Sequence, residues 1–291
     1  MATCVNVNGH ISAAEQAVIP VFDHGFLYGE GVYETLRTYS GTPFLFERHL
    51  RRLRDSAGMI LLEVPFSDAE ILARCLDTMT AAGLRAPSAQ EAYLRILLTR
   101  GIGDLTYDPA ATPAPSLVII AKPLPVTRPS DYDQGVKVVM VERIRNHPDS
   151  VSPLIKSNNL LNNALAMQQA LTQGGIEAVL CNYRGELSEC SQSNLFVVKD
   201  GVVRTPPLDA GLLAGITRGV VFEVGLAIGI SVEDRTLRPE DLFAADEAFF
   251  TSTTKELMPI ARVDDRPIGK GAPGPVTLRL LEGYREKARS L

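Results

Sequence analysis

Histidine and cysteine are scarce in this chain, with four of each among 291 residues. Cys4, Cys75, Cys181 and Cys190 lie far apart and outside any Cys-x-x-Cys spacing, which argues against a disulfide framework or a zinc centre. A reducing cytoplasm is the expected setting. The histidines are scattered singly, so no metal site is expected. Basic residues are outnumbered, 29 Lys and Arg against 34 Asp and Glu, for a net charge of −5. Neutralising phosphates needs a basic surface, so a nucleic-acid partner is not expected. No apolar run reaches the roughly 18 residues of a spanning helix, so no membrane partner is expected. The opening Met1-Ala2-Thr3-Cys4-Val5 lacks a basic segment before an apolar core, so no secretory signal is expected.

What is present suits a globular protein: 45% of residues are hydrophobic, and the length allows one large domain or two ordinary ones. Val5 to Ile11 alternates apolar and polar residues around Asn8-Gly9, a hairpin signal. Gly31 to Tyr39 is rich in β-branched and aromatic residues and reads as a strand. Leu50, Leu53 and Ala57 recur at helical spacing between Glu47 and Met59. Ser67 with Glu70 three residues on predicts a capped helix to Ala82. Tyr93 to Thr99 and Ser116 to Ala121 read as strands. Pro123, Pro125 and Pro129 stiffen the next stretch, so an interdomain linker is expected over 122–135, between a small N-terminal α/β domain (1–121) and a larger C-terminal domain (136–291). The second half predicts strands at Val136 to Val141, Glu177 to Asn182 and Asn194 to Lys199, with Asp200-Gly201 as a turn. Helices are expected from Asn159 to Thr172 and from near Thr217. Strands and helices that do not alternate regularly indicate an α+β fold rather than a Rossmann sheet.

Four segments carry candidate chemistry, each with a plain alternative. Lys156 sits among apolar and amide residues. Burial there favours the neutral amine that a Schiff-base lysine needs, but a lone lysine before a helix is ordinarily surface. Glu189, in Glu186 to Phe196, could face a cationic ring nitrogen or belong to a polar turn with self-bonding side chains. Gly211 to Arg218 runs into an apolar helix whose free N–H groups suit an anion, and equally reads as a helix start capped by Thr217. Thr251 to Thr254 offers hydroxyls to an anion or forms a β-edge.

The order and surroundings of these segments resemble the class IV aminotransferases that use pyridoxal 5′-phosphate (PLP). A K-S-x-N-x-L-N-N pattern is matched at Lys156 to Asn163, and E-x-x-x-x-N-L-F at Glu189 to Phe196. L-x-G-I-T-R is matched at Leu213 to Arg218, and a hydroxyl turn before Glu and Pro-Ile at Ser252 to Ile260. Gly269 to Thr277 matches G-x-G-x-x-G-P-V-T, and Tyr28 to Glu34 and Arg48 to Leu53 match in the first half. The resemblance spans nearly the whole chain and implies a two-domain, fold-type IV, D-amino-acid-aminotransferase-like PLP enzyme. By it, Lys156 carries the Schiff base and shuttles the proton, and Glu189 pairs with the pyridine nitrogen. Arg52, Ile216, Thr217 and Thr253 hold the phosphate. Asn194 is read as tying the glutamate loop to its neighbours, and Arg37 as scaffold.

For the substrate, Tyr93-Leu94-Arg95 resembles the Tyr-x-Arg motif of branched-chain enzymes, whose arginine receives glutamate's side-chain carboxylate. Gly103 to Pro109 resembles their following loop, and the Arg-x-His pair of D-amino-acid enzymes is missing. Tyr33 and Thr35, where branched-chain enzymes usually have Phe and Gly, and the Thr253-Thr254 pair look more like the D-amino-acid or lyase branches. Tyr33, Tyr93, Arg95, Thr253 and Thr254 are therefore the candidate substrate contacts. A branched-chain L-amino acid and 2-oxoglutarate are the expected pair; a D-amino-acid aminotransferase or an aminodeoxychorismate lyase is the alternative. A non-enzymatic relative would be expected to have lost Lys156 or Glu189. The resemblance also implies a homodimer, with Leu105 and Tyr107 reaching the neighbouring subunit's pocket.

Overall fold

The computed structural model describes residues 2–85 and 90–290, which form two compact units. The first runs to Pro125 and also holds Ile155–Asn159; the second comprises Val126–Leu154 and the chain from Leu160 onward.

In the first unit β1 (Cys4–Val7) and β2 (His10–Ala13) form the expected hairpin. Its turn residues Asn8 and Gly9 both take positive φ, 52° and 97°, the conformation that the Asn-Gly pair tolerates. The one-turn helix α1 (His24–Leu27) leads into β3 (Gly31–Tyr39) and the short β4 (Thr42–Pro43). The helices α2 (Phe46–Met59) and α3 (Asp68–Ala81) follow, the latter with a complete capping box between Ser67 and Glu70. The strands β5 (Ala92–Thr99) and β6 (Ser116–Pro123) complete a six-stranded antiparallel sheet of order β2-β1-β6-β5-β3-β4. Alternation along β3 and β5 sends Val32, Leu36, Leu94, Ile96 and Leu98 to a face covered by Leu50, Leu53, Ile71 and Met79 of the two helices. The other face keeps Tyr33, Thr35, Arg37, Tyr93 and Arg95 half-buried. Tyr33, Tyr93 and Arg95 on that face are the candidate substrate contacts of this unit.

The chain then ends β6 at Pro123 and, within the stretch expected as linker, forms the short helix α4 (Pro129–Gln134), which opens on a proline as helix starts commonly do. The second unit continues with β7 (Val136–Met140), α5 (Leu161–Thr172), β8 (Ala178–Cys181) and β9 (Leu187–Cys190). β10 (Asn194–Lys199) and β11 (Val202–Thr205) form a hairpin with Asp200 and Gly201 at φ 52° and 77°. Next come α6 (Ile216–Ile228), β12 (Val232–Asp234), α7 (Pro239–Phe243), β13 (Glu247–Ser252), β14 (Glu256–Val263), β15 (Arg266–Pro267) and α8 (Pro275–Arg289). The main path of this sheet is β12-β11-β10-β13-β14-β7-β8-β9, with parallel pairs at β11/β12, β14/β7 and β7/β8. β13 is buried from Glu247 to Thr251, with Phe249 stacked on Phe196 at 4.8 Å and Phe250 in the core cluster with Leu195 and Met258.

Candidate active site

Ile155–Asn159 belongs to the first unit because its backbone continues the sheet beside β3. Tyr33 N–H donates to the Lys156 carbonyl at 2.9 Å and Asn158 N–H to Gly31 at 2.9 Å, while Val32 and Ser157 form a bridge. Lys156 N–H donates to Ser56 Oγ on α2 at 3.1 Å, and Ile155 packs against the apolar core. The expectation drew Lys156 within the C-terminal stretch; in space its backbone is held by β3 and α2. Its amine lies 4.5 Å from the centre of the Tyr33 ring, and the Arg95 guanidinium lies 4.0 Å from the same ring. Lys122 sits over Tyr93 at 4.9 Å.

The other side of β3 holds a carboxylate where its alternation calls for an apolar residue. Glu34 lies between Val32 and Leu36, with its side chain fully buried. Arg52 donates to it through Nε at 2.7 Å and Nη2 at 2.8 Å, and His49 Nδ1 lies 2.7 Å away. His49 and Arg52 are three residues apart on α2, so both reach the same strand position. Burial pushes the Glu34 carboxyl up, but the Arg52 and His49 charges outweigh it and hold the group well below the usual carboxylate range. Burial lowers His49 against the pull of Glu34. The two donors given to Glu34 thus fix the guanidinium plane of Arg52, the residue expected to hold phosphate.

The second unit presents the opposite arrangement. Glu189 on β9 is buried and accepts from Arg145 Nε at 2.8 Å, from Leu213 N–H at 3.1 Å and from Asn194 Nδ2 at 3.4 Å. Asn194 also donates to the Leu213 carbonyl at 2.9 Å, so it ties the glutamate to the Leu213–Gly215 turn, as its expected role requires. That turn opens α6. Its N-cap is Gly215, not Thr217, and no side chain caps the helix. A Cβ at Gly215 would overlap Asn194 Oδ1, so a hydroxyl-bearing cap cannot be accommodated there. The amides of Ile216, Thr217 and Arg218 have no acceptor within the helix, the arrangement that favours an anion.

Thr253 and Thr254 are half-buried in the turn between β13 and β14, rather than on a β-edge. Lys255 beside them reaches the buried Glu177 at 3.6 Å, and Glu177 accepts from Ser191 Oγ and from Gln192 N–H at 3.1 Å. Burial raises the Glu177 carboxyl despite Lys255, and burial followed by the charge of Glu177 raises the neighbouring Cys190 thiol well above its ordinary value. That leaves Cys190 a poor nucleophile.

The first unit therefore brings together Lys156, Arg52, Tyr33, Tyr93 and Arg95. The second links Glu189 through Leu213 and Asn194 to the α6 start at Ile216 and Thr217, and carries Thr253 and Thr254 in the β13/β14 turn. Sequence reasoning missed Glu34, His49, Arg145, Glu177 and Lys255. The signal for Glu34 was available: a carboxylate in phase with the apolar face of a strand demands a cation. Arg145, 44 residues from Glu189, left no local trace. Among the described residues, no group of three His, Cys, Asp or Glu could hold a metal ion.

The family model for amino-transferase class IV matches residues 31–263 of this chain. The chain is 37% identical over 282 residues to a Methanocaldococcus jannaschii protein provisionally named branched-chain-amino-acid aminotransferase, covering 97% of this chain and 95% of that one. It is 35% identical over 286 residues to the D-alanine aminotransferase of Listeria monocytogenes, with the same coverage of 97% and 95%. Among solved structures it is similar to the branched-chain amino acid aminotransferase of Thermobaculum terrenum in its PLP form, with a TM-score of 0.86, 27% identity, and coverage of 99% and 94%. The chain belongs to the class IV aminotransferases. It has their fold-type IV architecture and is an enzyme of that family.

Proposed function

We propose that this protein is a PLP-dependent transaminase that moves an amino group between a branched-chain L-amino acid and 2-oxoglutarate. The observation that carries the chemistry is Lys156, a primary amine held at the edge of β3 by backbone pairing. The donor sets fit the cofactor: an amine for its aldehyde, the buried acceptor Glu189 for its ring nitrogen, and for its phosphate Arg52 in one unit and the α6 amides in the other. The Thermobaculum terrenum relative, a branched-chain enzyme solved in its PLP form, supports the same reading.

PLP, when bound, supplies an electron sink that stabilises negative charge at the substrate α-carbon. Everything else falls to side chains. Lys156 Nζ would hold the cofactor's aldehyde group and, as a free amine, would take and return the substrate α-proton. Glu189, oriented by Arg145 and Asn194, would accept the hydrogen bond of a protonated ring nitrogen and so keep the proton there. Arg52, oriented by Glu34, would hold the phosphate from the first unit, and the Ile216 and Thr217 amides with Thr253 would hold it from the second. Thr253 and Thr254 also orient the substrate α-carboxylate. Tyr33 and Tyr93 line the side-chain pocket, and Arg95 receives the distal carboxylate of glutamate.

The protein acts as a homodimer in a reducing cytoplasm. All four cysteines are free thiols, and no helix among the described residues is long and apolar enough to cross a membrane. Phe22, Phe26, Ile102, Leu105 and Tyr107 are exposed on segments bonded to one another, through Gly103 N–H to the Phe22 carbonyl and the Tyr28–Tyr107 ring contact. A contiguous apolar patch of that kind suits burial against a second copy.

Borohydride reduction with peptide mapping tests the lysine: the pyridoxyl label is expected on Lys156, and a label on Lys255 or Lys122 overturns the assignment. Half-reactions followed by absorbance test the substrate. Fast conversion of L-leucine and L-glutamate is expected, while fast conversion of D-alanine without L-leucine moves the enzyme to the D-amino-acid branch.

A further inference from the structure

The Arg95 guanidinium has one partner among the described residues, the ring of Tyr33. The sheet explains the pairing. Arg95 lies opposite Thr35 in the β3/β5 register and Tyr33 opposite Leu97, so Tyr33 and Arg95 are diagonal neighbours on one half-buried face. Glu34, the carboxylate of this part of β3, is on the other face and is occupied by Arg52 and His49. The guanidinium therefore rests on the electron-rich face of an aromatic ring, which attracts a cation without neutralising it.

This matters for an enzyme that alternates between two amino acids, and the argument rests on the transaminase reading above. Glutamate brings a carboxylate for Arg95; leucine or valine brings none. A half-buried cation beside an apolar side chain is costly unless something else accompanies it. We propose that Tyr33 is a specificity-determining residue: its ring holds Arg95 aside while the substrate side chain is apolar and releases it to the distal carboxylate of glutamate. The ring, not the hydroxyl, performs this task. Lys156 shares the same ring, so loss of the ring disturbs both half-reactions in common, but only the apolar one loses its resting place for Arg95.

The test compares Tyr33→Phe and Tyr33→Leu with the wild type. In Tyr33→Leu the ratio of kcat/KM for L-leucine to that for L-glutamate is expected to fall about tenfold, the scale of a partly desolvated cation–π contact. In Tyr33→Phe it stays within about twofold of the wild-type ratio, because the ring that carries the contact is kept. A common loss cancels in the ratio, so general damage to the site does not imitate the effect. A second readout uses the cofactor-free protein: phenylglyoxal modification of Arg95, followed by mass spectrometry, accelerates several-fold in Tyr33→Leu and not in Tyr33→Phe. Equal losses with both amino acids in Tyr33→Leu, or the same ratio shift in both variants, overturn the proposal. So does an unchanged modification rate in Tyr33→Leu. A wild type that converts neither L-leucine nor L-glutamate overturns the substrate reading and this selectivity role with it; the phenylglyoxal rates still report separately whether the ring shields Arg95.

Discussion

Each unit of this protein holds an arginine–carboxylate pair among its candidate residues, with the two members in exchanged roles. In the first unit the carboxylate is the support: Glu34 is fully buried and fixes Arg52, whose charge is proposed to serve a phosphate. In the second the arginine is the support: Arg145 fixes Glu189, whose charge is proposed to serve a ring nitrogen. One pair thus presents either sign of charge, according to which elements surround it. Glu34 also takes a third donor from His49, whereas Glu189 takes backbone and amide donors from Leu213 and Asn194. The supporting member is expected to matter to folding and the presented member to chemistry.

The strongest test of that division is Glu34→Ala. It strands the buried His49 and the half-buried Arg52, and a loss of about 3–5 kcal/mol in folding stability is expected by urea unfolding. A loss below about 1 kcal/mol, the size of an exposed ion pair, would show that Glu34 is not a structural support. Next in size is Glu189→Gln, expected to fold normally and lose about a hundredfold or more in turnover. Wild-type turnover in this variant would remove Glu189 from the mechanism and break the symmetry of the comparison. Arg52→Ala should raise the PLP dissociation constant far more than it lowers turnover at saturating cofactor; unchanged affinity in a cofactor titration would take Arg52 out of the phosphate site.

The smallest effect is on pH dependence. Glu34 is held below the ordinary carboxylate range and His49 below the ordinary imidazole range, so the unfolded chain binds more protons than the folded one on the acid side. Their contribution is complete above neutral pH. It is lost as pH falls, first through the histidine range and then through the carboxylate range, at about 1.4 kcal/mol per pH unit for each proton taken up. Glu34→Gln should flatten the lower part of this profile, measured as unfolding free energy against pH. A profile as steep as the wild type would assign the acid loss to other groups.

Much of the molecule was legible in its residues. Asn8-Gly9 and Asp200-Gly201 announced turns that need positive φ, and Ser67 with Glu70 announced a capped helix, because each depends on neighbours in sequence. The ordered motifs around Lys156, Glu189 and Gly215 identified the family, because they report chemistry rather than packing. The helix start at Gly215 was legible as a helix start but not as to its cap, since only the approach of Asn194 shows why a side chain cannot stand there. Tertiary structure alone decided which groups steer the site. Arg52 meets Glu34 across 18 residues and Arg145 meets Glu189 across 44. It also carried Ile155–Asn159 back to β3 and laid Arg95 on Tyr33. Such contacts join segments through strand register and burial, and neither is encoded in the spacing of the residues that meet.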